Sequence, residues 1–499
     1  MLDELAFALT RQPQRPAVIG STRGGRPVVK LTRGELAELA SGYAAALRRR
    51  GLRNGDTIGF AVRPGGRALA VLLAAHRLGL RTAMLDPSVG PDVLLARLRL
   101  AQPSLVLADA TAQAVAGWAS PLARRAGLAL PDLSSFGPVV TIGTRLPGCA
   151  VALAPVFPAD EPARSGADRA DGADGAAVVV FTSGTTGHPR AVVPSRASLD
   201  AGMRTVAELV RPKAGLPVLG GTFFVLVPSL ARGAAVALPA RSPRALARQL
   251  RLLRPQETYL TPPALRDALA AGACFIGRVW SGSAPVSADL LGRVRAAGAT
   301  QAWGVYAMTE MFPVAVVEAS EKESFDGDGD LVGDLAPGVR ARVDSDGQLL
   351  LAGPGGCEGY LGEPPAEWIA TGDIARAQAH GSSTRIVLAG RSKDMILRRA
   401  ENIYPGLYEP SLHVPGVAVA ILVGLPAADQ DERLVALIQP TPGADPAAIS
   451  KTLATPLARM GSARPDAVIF AAVPLAGRSR KPDRAAAARL AAAELGWKP

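Results

Sequence analysis

Apolar positions follow a helical period in one part of the chain that also carries a helix start signal. Within residues 32–51 they recur every three or four positions, which places them on one face of a helix: Leu36, Leu39, Tyr43 and Leu47. Thr32 stands three positions before Glu35, as in a capping box, where each side chain bonds to the other residue's backbone N–H. We predict an amphipathic helix here that serves as scaffold.

Elsewhere, short apolar runs bounded by glycine or proline alternate with alanine- and leucine-rich helical stretches. These runs include residues 176–181, 235–238, 417–423, 434–438 and 467–473. The alternation predicts an α/β fold of layered sheets and helices. Because three runs follow Lys393 and a helical pattern begins at Arg484, we predict a large N-terminal domain over residues 1–392 and a small α+β domain over residues 393–499.

The composition is that of a chain with a large buried core, since 48% of the 499 residues are apolar and 20% are charged. The formal net charge is +12, yet the arginines that produce it are scattered among alanines. Without a basic patch interleaved with aromatic residues, we expect no nucleic-acid binding. Lysine is rare, with seven in the chain, so a lysine within a motif carries weight.

The cysteine spacing and the N-terminal residues indicate the cellular compartment in which the protein works. Three cysteines lie far apart without a CxxC pair, which argues against a disulfide framework or zinc cluster and for a reducing compartment. Asp3 and Glu4 stand where a secretory signal would carry basic residues. Pro228 and Arg232 interrupt the most apolar stretch, residues 222–240. We therefore expect a cytoplasmic protein without a membrane span.

One segment joins a buried-strand pattern to a turn rich in glycine and hydroxyl groups. Residues 176–193 read AAVVVFTSGTTGHPRAVV, so an apolar run leads into Thr182, Ser183, Gly184, Thr185, Thr186 and Gly187. Glycine permits close backbone approach to an anion, and N–H groups with Ser and Thr hydroxyls wrap phosphate oxygens. The Walker spacing is absent, because His188 and Pro189 follow the last glycine. These residues alone leave a phosphate loop and an ordinary polar turn equally open.

Further motifs follow in order along the chain: YAMTE at 306–310, TGD at 371–373, GRSKD at 390–394, NIYP at 402–405 and Lys481 near the C-terminus. Together they resemble the adenylate-forming (AMP-binding) superfamily of acyl-CoA synthetases, peptide-synthetase adenylation domains and luciferases, over nearly the whole chain. The resemblance implies a mobile C-terminal domain, with Lys393 as the hinge. It also implies attack of a carboxylate on the α-phosphorus of Mg·ATP, which gives acyl-AMP and pyrophosphate.

The resemblance also implies which residues hold the phosphates and the metal. Residues 182–187 would hold the β- and γ-phosphates, and Thr309 the α-phosphate. Glu310 would ligate Mg²⁺, a hard cation that prefers carboxylate and phosphate oxygens. Lys481 would bridge the carboxylate and the α-phosphate, since a flexible ammonium suits a group that enters when a domain closes.

The nucleoside contacts implied by the resemblance come from three other motifs. Asp373 would accept hydrogen bonds from the ribose hydroxyls, with Arg391 as a second ribose contact. Tyr306 would stack on the adenine. The loop implied to pack against the base is formed by Gly282, Ser283 and Ala284.

Several positions depart from the family pattern: Arg190, Ala191, Arg196, Ala307, Ala400 and Arg480. Arg190 keeps the positive charge of the usual lysine, so ATP binding is not endangered. Ala400 stands where glycine usually lines the pantetheine tunnel, and its methyl group crowds that approach. Transfer to coenzyme A is therefore in doubt, whereas adenylation is untouched.

The sequence indicates only the chemical class of the substrate. Short matches at residues 62–65, 85–90, 282–286 and 311–314 resemble the olefin-biosynthesis β-lactone synthetase branch, in which the acid's own β-hydroxyl displaces AMP. An apolar acyl pocket is expected from residues 219–230, 303–308 and 311–312, although core packing explains these residues equally well.

We expect an ATP- and Mg²⁺-dependent ligase for a small-molecule carboxylic acid, fatty or β-hydroxy. The acceptor stays open among coenzyme A, the phosphopantetheine thiol of an acyl carrier protein, and an internal hydroxyl. A degenerate, non-catalytic nucleotide binder is the alternative that the departures suggest. Neither the acid nor the oligomeric state can be derived from the sequence.

Overall fold

The computed structural model of the chain describes residues 1–85, 95, 98–125, 132–157, 178–182, 190–361, 363–398, 401–427, 432–476 and 480–497. The α-helices are α1 (Leu2–Thr10), α2 (Arg33–Arg49), α3 (Gly66–Arg77), α4 (Ala110–Ala116), α5 (Ser120–Arg125), α6 (Arg196–Val210), α7 (Phe223–Ala231), α8 (Pro243–Leu253), α9 (Pro262–Ala270), α10 (Ala288–Ala296), α11 (Ala319–Ser324), α12 (Pro405–Tyr408), α13 (Pro446–Arg459) and α14 (Arg484–Glu494). Short 3₁₀ turns are Leu133–Phe136, Ser392–Asp394, Glu409–Leu412 and Gly461–Ala463.

The β-strands are β1 (Pro16–Ser21), β2 (Pro27–Thr32), β3 (Thr57–Ala61), β4 (Arg81–Met84), β5 (Leu105–Ala108), β6 (Val139–Thr141), β7 (Val178–Thr182), β8 (Arg190–Val192), β9 (Pro217–Leu219), β10 (Ala235–Ala237), β11 (Glu257–Tyr259), β12 (Arg278–Gly282), β13 (Gln301–Tyr306), β14 (Ala315–Glu318), β15 (Asp330–Leu335), β16 (Arg340–Val343), β17 (Gln348–Ala352), β18 (Ile369–His380), β19 (Ser383–Arg391), β20 (Ile396–Arg398), β21 (Glu401–Ile403), β22 (Val417–Pro426), β23 (Glu432–Pro440), β24 (Ala467–Phe470), β25 (Leu475–Ala476) and β26 (Lys481–Pro482).

Helix α2 confirms the predicted amphipathic helix and its capping box. The Thr32 hydroxyl accepts a hydrogen bond from the Glu35 N–H at 3.3 Å, and the Glu35 carboxylate accepts one from the Thr32 N–H at 2.7 Å. On the apolar face Leu36, Tyr43 and Leu47 are buried. This face packs against α3, which makes the helix part of the scaffold.

The largest sheet, sheet A, has the strand order β16-β17-β18-β19-β15-β14-β13-β12-β11-β9-β10-β1-β2. The strands from β1 to β13 in this order run parallel, whereas those from β13 to β16 pair antiparallel. The carboxyl ends of β12 and β13 therefore lie where the two halves meet. Ligands of open α/β sheets bind at such strand ends.

A second sheet, sheet B, has the order β6-β5-β3-β4-β7-β8 and is parallel from β6 to β7. Helices α1, α2, α3, α6 and α7 contribute to the core between the sheets. Helices α8 to α10 cover the other face of sheet A. Val18 and Ile19, successive in β1, belong to these two different cores, as strand alternation requires. The predicted α/β layers are confirmed.

The smaller C-terminal domain is built on sheet C, of order β22-β23-β24. Leu422 packs on one face with Ile449 and Leu453 of α13. Its neighbour Ile421 packs on the opposite face with residues of α14. The predicted strands at 417–423, 434–438 and 467–473 and the helix from Arg484 are thus confirmed, with the third strand ending at Phe470.

The connection between the domains runs from β19 into the 3₁₀ turn Ser392–Asp394 and on to β20. Lys393 lies exposed in this turn. Its role as a hinge and the boundary between residues 392 and 393 stay predictions.

The most apolar stretch of the chain, residues 222–240, forms α7, which is nine residues long and contains Pro228, and then β10. Throughout the described ranges, no helix has the length and apolarity needed to cross a bilayer.

Candidate active site

Three predicted nucleoside-binding residues are brought together by direct hydrogen bonds. The Tyr306 hydroxyl donates to Asp373 Oδ2 at 2.5 Å, and Arg391 Nε donates to Asp373 Oδ1 at 2.9 Å. Asp373 is buried, with 4% of its surface exposed. We call these three residues the carboxylate cluster. A carboxylate has about four lone-pair sites, so Asp373 keeps acceptor capacity for a ligand hydroxyl.

The backbone around Asp373 is fixed by side chains of its own sheet. Gly372 adopts φ +71°, a left-handed conformation that favours glycine. Its N–H donates to Gln348 Oε1 at 3.0 Å, and the Asp373 N–H donates to Thr371 Oγ1 at 3.0 Å. Thr371 Oγ1 donates to the Leu349 carbonyl at 2.8 Å. The TGD sequence is therefore a hydrogen-bonded corner that holds the Asp373 carboxylate against Tyr306 and Arg391.

Burial and charge set the protonation states in the cluster. Burial, followed by the negative charge of Asp373, raises the pKa of Tyr306 well above its usual value, so its hydroxyl stays protonated and donates. Burial and then the positive charge of Arg391 lower the pKa of Lys481, while Asp373 opposes this shift. Lys481 keeps a solvent-accessible side chain at the cleft mouth, so the ammonium is only partly desolvated.

Lys481 reaches the cleft from the C-terminal domain and is held by its neighbours. It pairs with Ala476 in the two-stranded sheet of β25 and β26. Arg480 beside it donates to Asp267 Oδ2 on α9 at 2.7 Å, which links the two domains. Arg480 has φ +50° at the position where the family usually has glycine. Just beyond, Arg484 is ion-paired with Glu409 at 2.7 Å, which anchors this segment within the C-terminal domain.

Glu310, the predicted metal ligand, is buried near the end of the YAMTE motif. Its Oε1 accepts a hydrogen bond from the Tyr360 hydroxyl at 3.3 Å, and its carbonyl accepts one from the Cys357 N–H at 2.7 Å. Tyr360 also forms a bridge with Val192, just after the glycine-rich segment. Val192 and Glu310 therefore lie close in space, on either side of Tyr360.

The loop after β12 approaches β13 closely. A Cβ on Gly282 would stand 2.7 Å from the Val305 carbonyl, so this position requires glycine. Ser283 follows with φ +69° and its Oγ lies 2.9 Å from the Tyr259 hydroxyl oxygen. Ala284, also predicted to face the adenine, is half-buried beside it.

A cavity of about 1290 Å³ extends from Thr309 and Lys481 into the large domain. Part of the predicted acyl pocket lines it: Phe223, Phe224, Val225, Val227, Val305, Ala307, Met308 and Phe312. Gly221 and Thr222 line it as well, whereas Leu226, Leu230 and Met311 of the same prediction are buried in the core. Trp303 stacks on Trp280 at 5.4 Å and lies outside the residues that line the cavity.

Of the predicted phosphate loop, residues 182–187, the structure describes only Thr182. Thr182 ends β7 and pairs with Arg190. The following positions lie outside the described residues: Ser183, Gly184, Thr185, Thr186, Gly187 and Ala400.

Two tyrosines of the site were not predicted. The chain has six tyrosines, and three of them, Tyr259, Tyr306 and Tyr360, lie at this cleft. The scarcity of tyrosine is the signal that points to them, just as the scarcity of lysine points to Lys481.

His76 lines the same cavity and gives a prediction for pH-dependent stability. Burial and then the charge of Arg196 lower its pKa from 6.5 to about 4, against the opposing charges of Asp3 and Asp200. Since the unfolded chain binds the extra proton between pH 6.5 and 4, stability is complete above this window and falls as the pH drops through it. The loss is about 3 kcal/mol at pH 4.

We expect His76→Gln, which cannot titrate, to lose about 3 kcal/mol less than the wild type when urea unfolding is compared at pH 7 and pH 4. His380→Gln, at an exposed position, is the control. If wild type and His76→Gln lost the same unfolding free energy between pH 7 and pH 4, the assignment of this pH dependence to His76 would be contradicted.

The fold and the site together define an adenylate-forming enzyme: a sheet-rich domain presents a buried carboxylate, and a smaller domain supplies a lysine to the same cleft. The family described as AMP-binding enzyme matches residues 5–361, and the chain belongs to this family. It is an acyl-adenylate-forming ligase, an enzyme class that uses ATP.

Relatives and solved structures agree with this assignment. The feruloyl-CoA synthase of Amycolatopsis sp is 26% identical over 480 residues, covering 88% of this chain and 89% of that protein. The olefin beta-lactone synthetase of Stenotrophomonas maltophilia is 28% identical over 450 residues, covering 79% of this chain and 78% of that protein. The amide bond synthetase McbA from Marinactinospora thermotolerans shares the fold, with a TM-score of 0.76 at 20% identity over 98% of this chain and 99% of that one.

Proposed function

We propose that the protein activates a fatty or β-hydroxy acid to acyl-AMP, releases pyrophosphate, and passes the acyl group to a thiol. The observation that carries this proposal is that Lys481 lines a largely apolar cavity while the charges of Asp373 and Arg391, two residues of the carboxylate cluster, act on its ammonium. The cluster suits a nucleoside, the lysine suits a developing negative charge, and the cavity suits an apolar acyl chain.

The proposed step asks little covalent work of the protein. A carboxylate oxygen of the acid attacks the α-phosphorus of ATP, a new P–O bond forms, and the bond to pyrophosphate breaks. Lys481 lies beside both reacting groups and stabilises the charge that moves between them. Thr309 contacts the α-phosphate, and Asp373 accepts hydrogen bonds from the ribose.

We assign the remaining contacts by the same reasoning. Residues 182–187 bind the β- and γ-phosphates, Tyr306 and the loop of Gly282, Ser283 and Ala284 contact the adenine, and Arg391 contacts the ribose. Glu310 offers one buried carboxylate, which fits Mg²⁺ because this ion is usually held by one or two carboxylates together with substrate phosphates. When bound, Mg²⁺ neutralises phosphate charge. Among the residues described, no larger cluster of metal-binding side chains occurs.

Domain movement completes the proposed cycle. The C-terminal domain, residues 393–499, turns about Lys393 and withdraws Lys481 after adenylation, so that a thiol of coenzyme A or of an acyl carrier protein can approach. We further infer a cytoplasmic location, which the cysteine spacing supports.

A second candidate is a β-lactone synthetase, in which the substrate's β-hydroxyl displaces AMP. It is favoured by the 28% identity to an olefin beta-lactone synthetase and by Ala400, which crowds the predicted thiol tunnel. The degenerate nucleotide binder is disfavoured because Glu310, Asp373, Arg391 and Lys481 are all retained and converge.

Mass spectrometry of the products tests these proposals. The enzyme is incubated with Mg·ATP and a panel of fatty, aryl and β-hydroxy acids, with and without coenzyme A. We expect acyl-AMP and pyrophosphate in both series and a thioester where thiol is present. A β-lactone formed without thiol would favour the second candidate. Failure of every acid to yield AMP or acyl-AMP would overturn the proposed function.

A further inference from the structure

Two hydroxyl groups form an isolated pair on the cavity wall. Tyr259 ends β11, Ser283 follows β12, and their hydroxyl oxygens lie 2.9 Å apart. Both residues line the cavity that also reaches Thr309 and Lys481. Burial raises the pKa of Tyr259, so the phenol stays protonated. The pair is thus a neutral hydrogen-bonding group set in a mainly apolar wall.

The backbone of Ser283 indicates that its side chain has a use. With φ +69° it adopts a left-handed conformation, which costs an L-residue with a Cβ roughly 1 kcal/mol relative to glycine. Non-glycine residues in this region cluster at ligand-binding sites. Glycine would satisfy the turn at lower cost, so the hydroxyl, and not the backbone, accounts for serine here.

The hydroxyl pair also has unused capacity. In a bond between two hydroxyls one donates, and the other keeps its own O–H for another acceptor. Within the described part of the chain, each of these two hydroxyls forms no other hydrogen bond. One O–H is therefore free to donate to a ligand or water.

The pair shares one cavity with the residues proposed to hold the reacting groups. Tyr259 and Ser283 line the cavity of about 1290 Å³ that Thr309 and Lys481 also line. Gly282 pairs in register with Val305, so Ser283 follows β12 at the strand end where β13 leads on to Thr309. An acid whose carboxylate is held at Thr309 and Lys481 would extend its acyl part into the space that the pair faces.

We propose that Tyr259 and Ser283 form a specificity site for an oxygen substituent on the acyl part of the substrate, so that the preferred substrates are hydroxy acids and not their unsubstituted analogues. The proposal rests on the proposed adenylating function and specifies its substrate class. A site built to bond an oxygen discriminates against an analogue that lacks it, because its polar groups are then left unpaired.

The test compares kcat/KM for pyrophosphate release with 2-hydroxy, 3-hydroxy and unsubstituted acids of one chain length, in wild type, Ser283→Gly and Tyr259→Phe. Ser283→Gly removes the hydroxyl and relieves the backbone, so the fold is kept. Arg254→Gly is the matched control, since Arg254 has φ +50° at the exposed end of α8. We expect the wild type to prefer a hydroxy acid at least tenfold, and each variant to lower that preference about five- to tenfold.

The outcomes separate the two proposals. Equal hydroxy preference in wild type and both variants overturns the specificity site, as does an equal loss with both kinds of acid, which is the result expected if these residues act only through the adenine loop or the fold. No pyrophosphate release with any acid overturns the adenylating function itself. Whether the 2-hydroxy or 3-hydroxy acid responds identifies the substituted carbon.

Discussion

Replacing Lys481 by alanine is expected to lower the rate of acyl-AMP formation by about 10³-fold, the size of effect seen when one preorganised charge is removed from a transition state. Lys481 lies on β26 and lines the cavity, and the charges of Arg391, Asp373 and Glu310 act on its ammonium. Because its proposed role is confined to the first half-reaction, transfer or hydrolysis of supplied acyl-AMP should change less than about threefold.

Pyrophosphate release and single-turnover decay of supplied acyl-AMP measure the two half-reactions separately. Lys451→Ala is the matched control, an exposed lysine on α13 of the same domain. Acyl-AMP formation by Lys481→Ala at the wild-type rate would contradict the assigned role, and an equal loss in both half-reactions would indicate damage to the fold instead.

Replacing Asp373 by asparagine is expected to raise the KM for ATP roughly 100-fold, because the two charge-assisted hydrogen bonds that we propose to the ribose would become weaker neutral ones. The change also leaves the Tyr306 hydroxyl and the Arg391 guanidinium without their carboxylate. The Arg391 side chain is 46% exposed and can be rehydrated, so we expect a stability loss of only about 2 kcal/mol.

The ATP dependence of pyrophosphate exchange and the urea midpoint together check this prediction. Asp346→Asn, an acidic residue exposed in a turn of the same sheet, controls for loss of one negative charge. Unchanged ATP affinity in Asp373→Asn would remove the ribose contact from the proposed mechanism.

Much of the site was predictable because its motifs are local. The TGD corner is fixed by hydrogen bonds among Gln348, Thr371 and Asp373, within one sheet, and its sequence alone predicts a turn with an acid. The acyl pocket was predicted only in part. The first residues of α7, residues 223–225, line the cavity, whereas Leu226 and Leu230 are buried in the core. The helix orientation that decides between these two environments depends on packing against α1 and α6.

Long-range contacts account for what the sequence could not provide. Tyr259 and Ser283 meet because β11 and β12 are neighbours in register, and Arg480 meets Asp267 only because the two domains face each other. Nothing in the spacing of these residues encodes the distance between them. That a serine or an arginine has a left-handed backbone conformation can likewise be recognised only in the folded structure.

By itself the sequence determined the α/β class, the capped helix α2 and the strands of the C-terminal domain. It also determined the order of motifs that identifies the adenylate-forming class. These features were predictable because hydrophobic period, helix caps and motif composition are properties of short segments. Tertiary structure decided which hydroxyls, carboxylates and cations meet at the ends of β12 and β13, since strand order and register bring together residues up to two hundred positions apart.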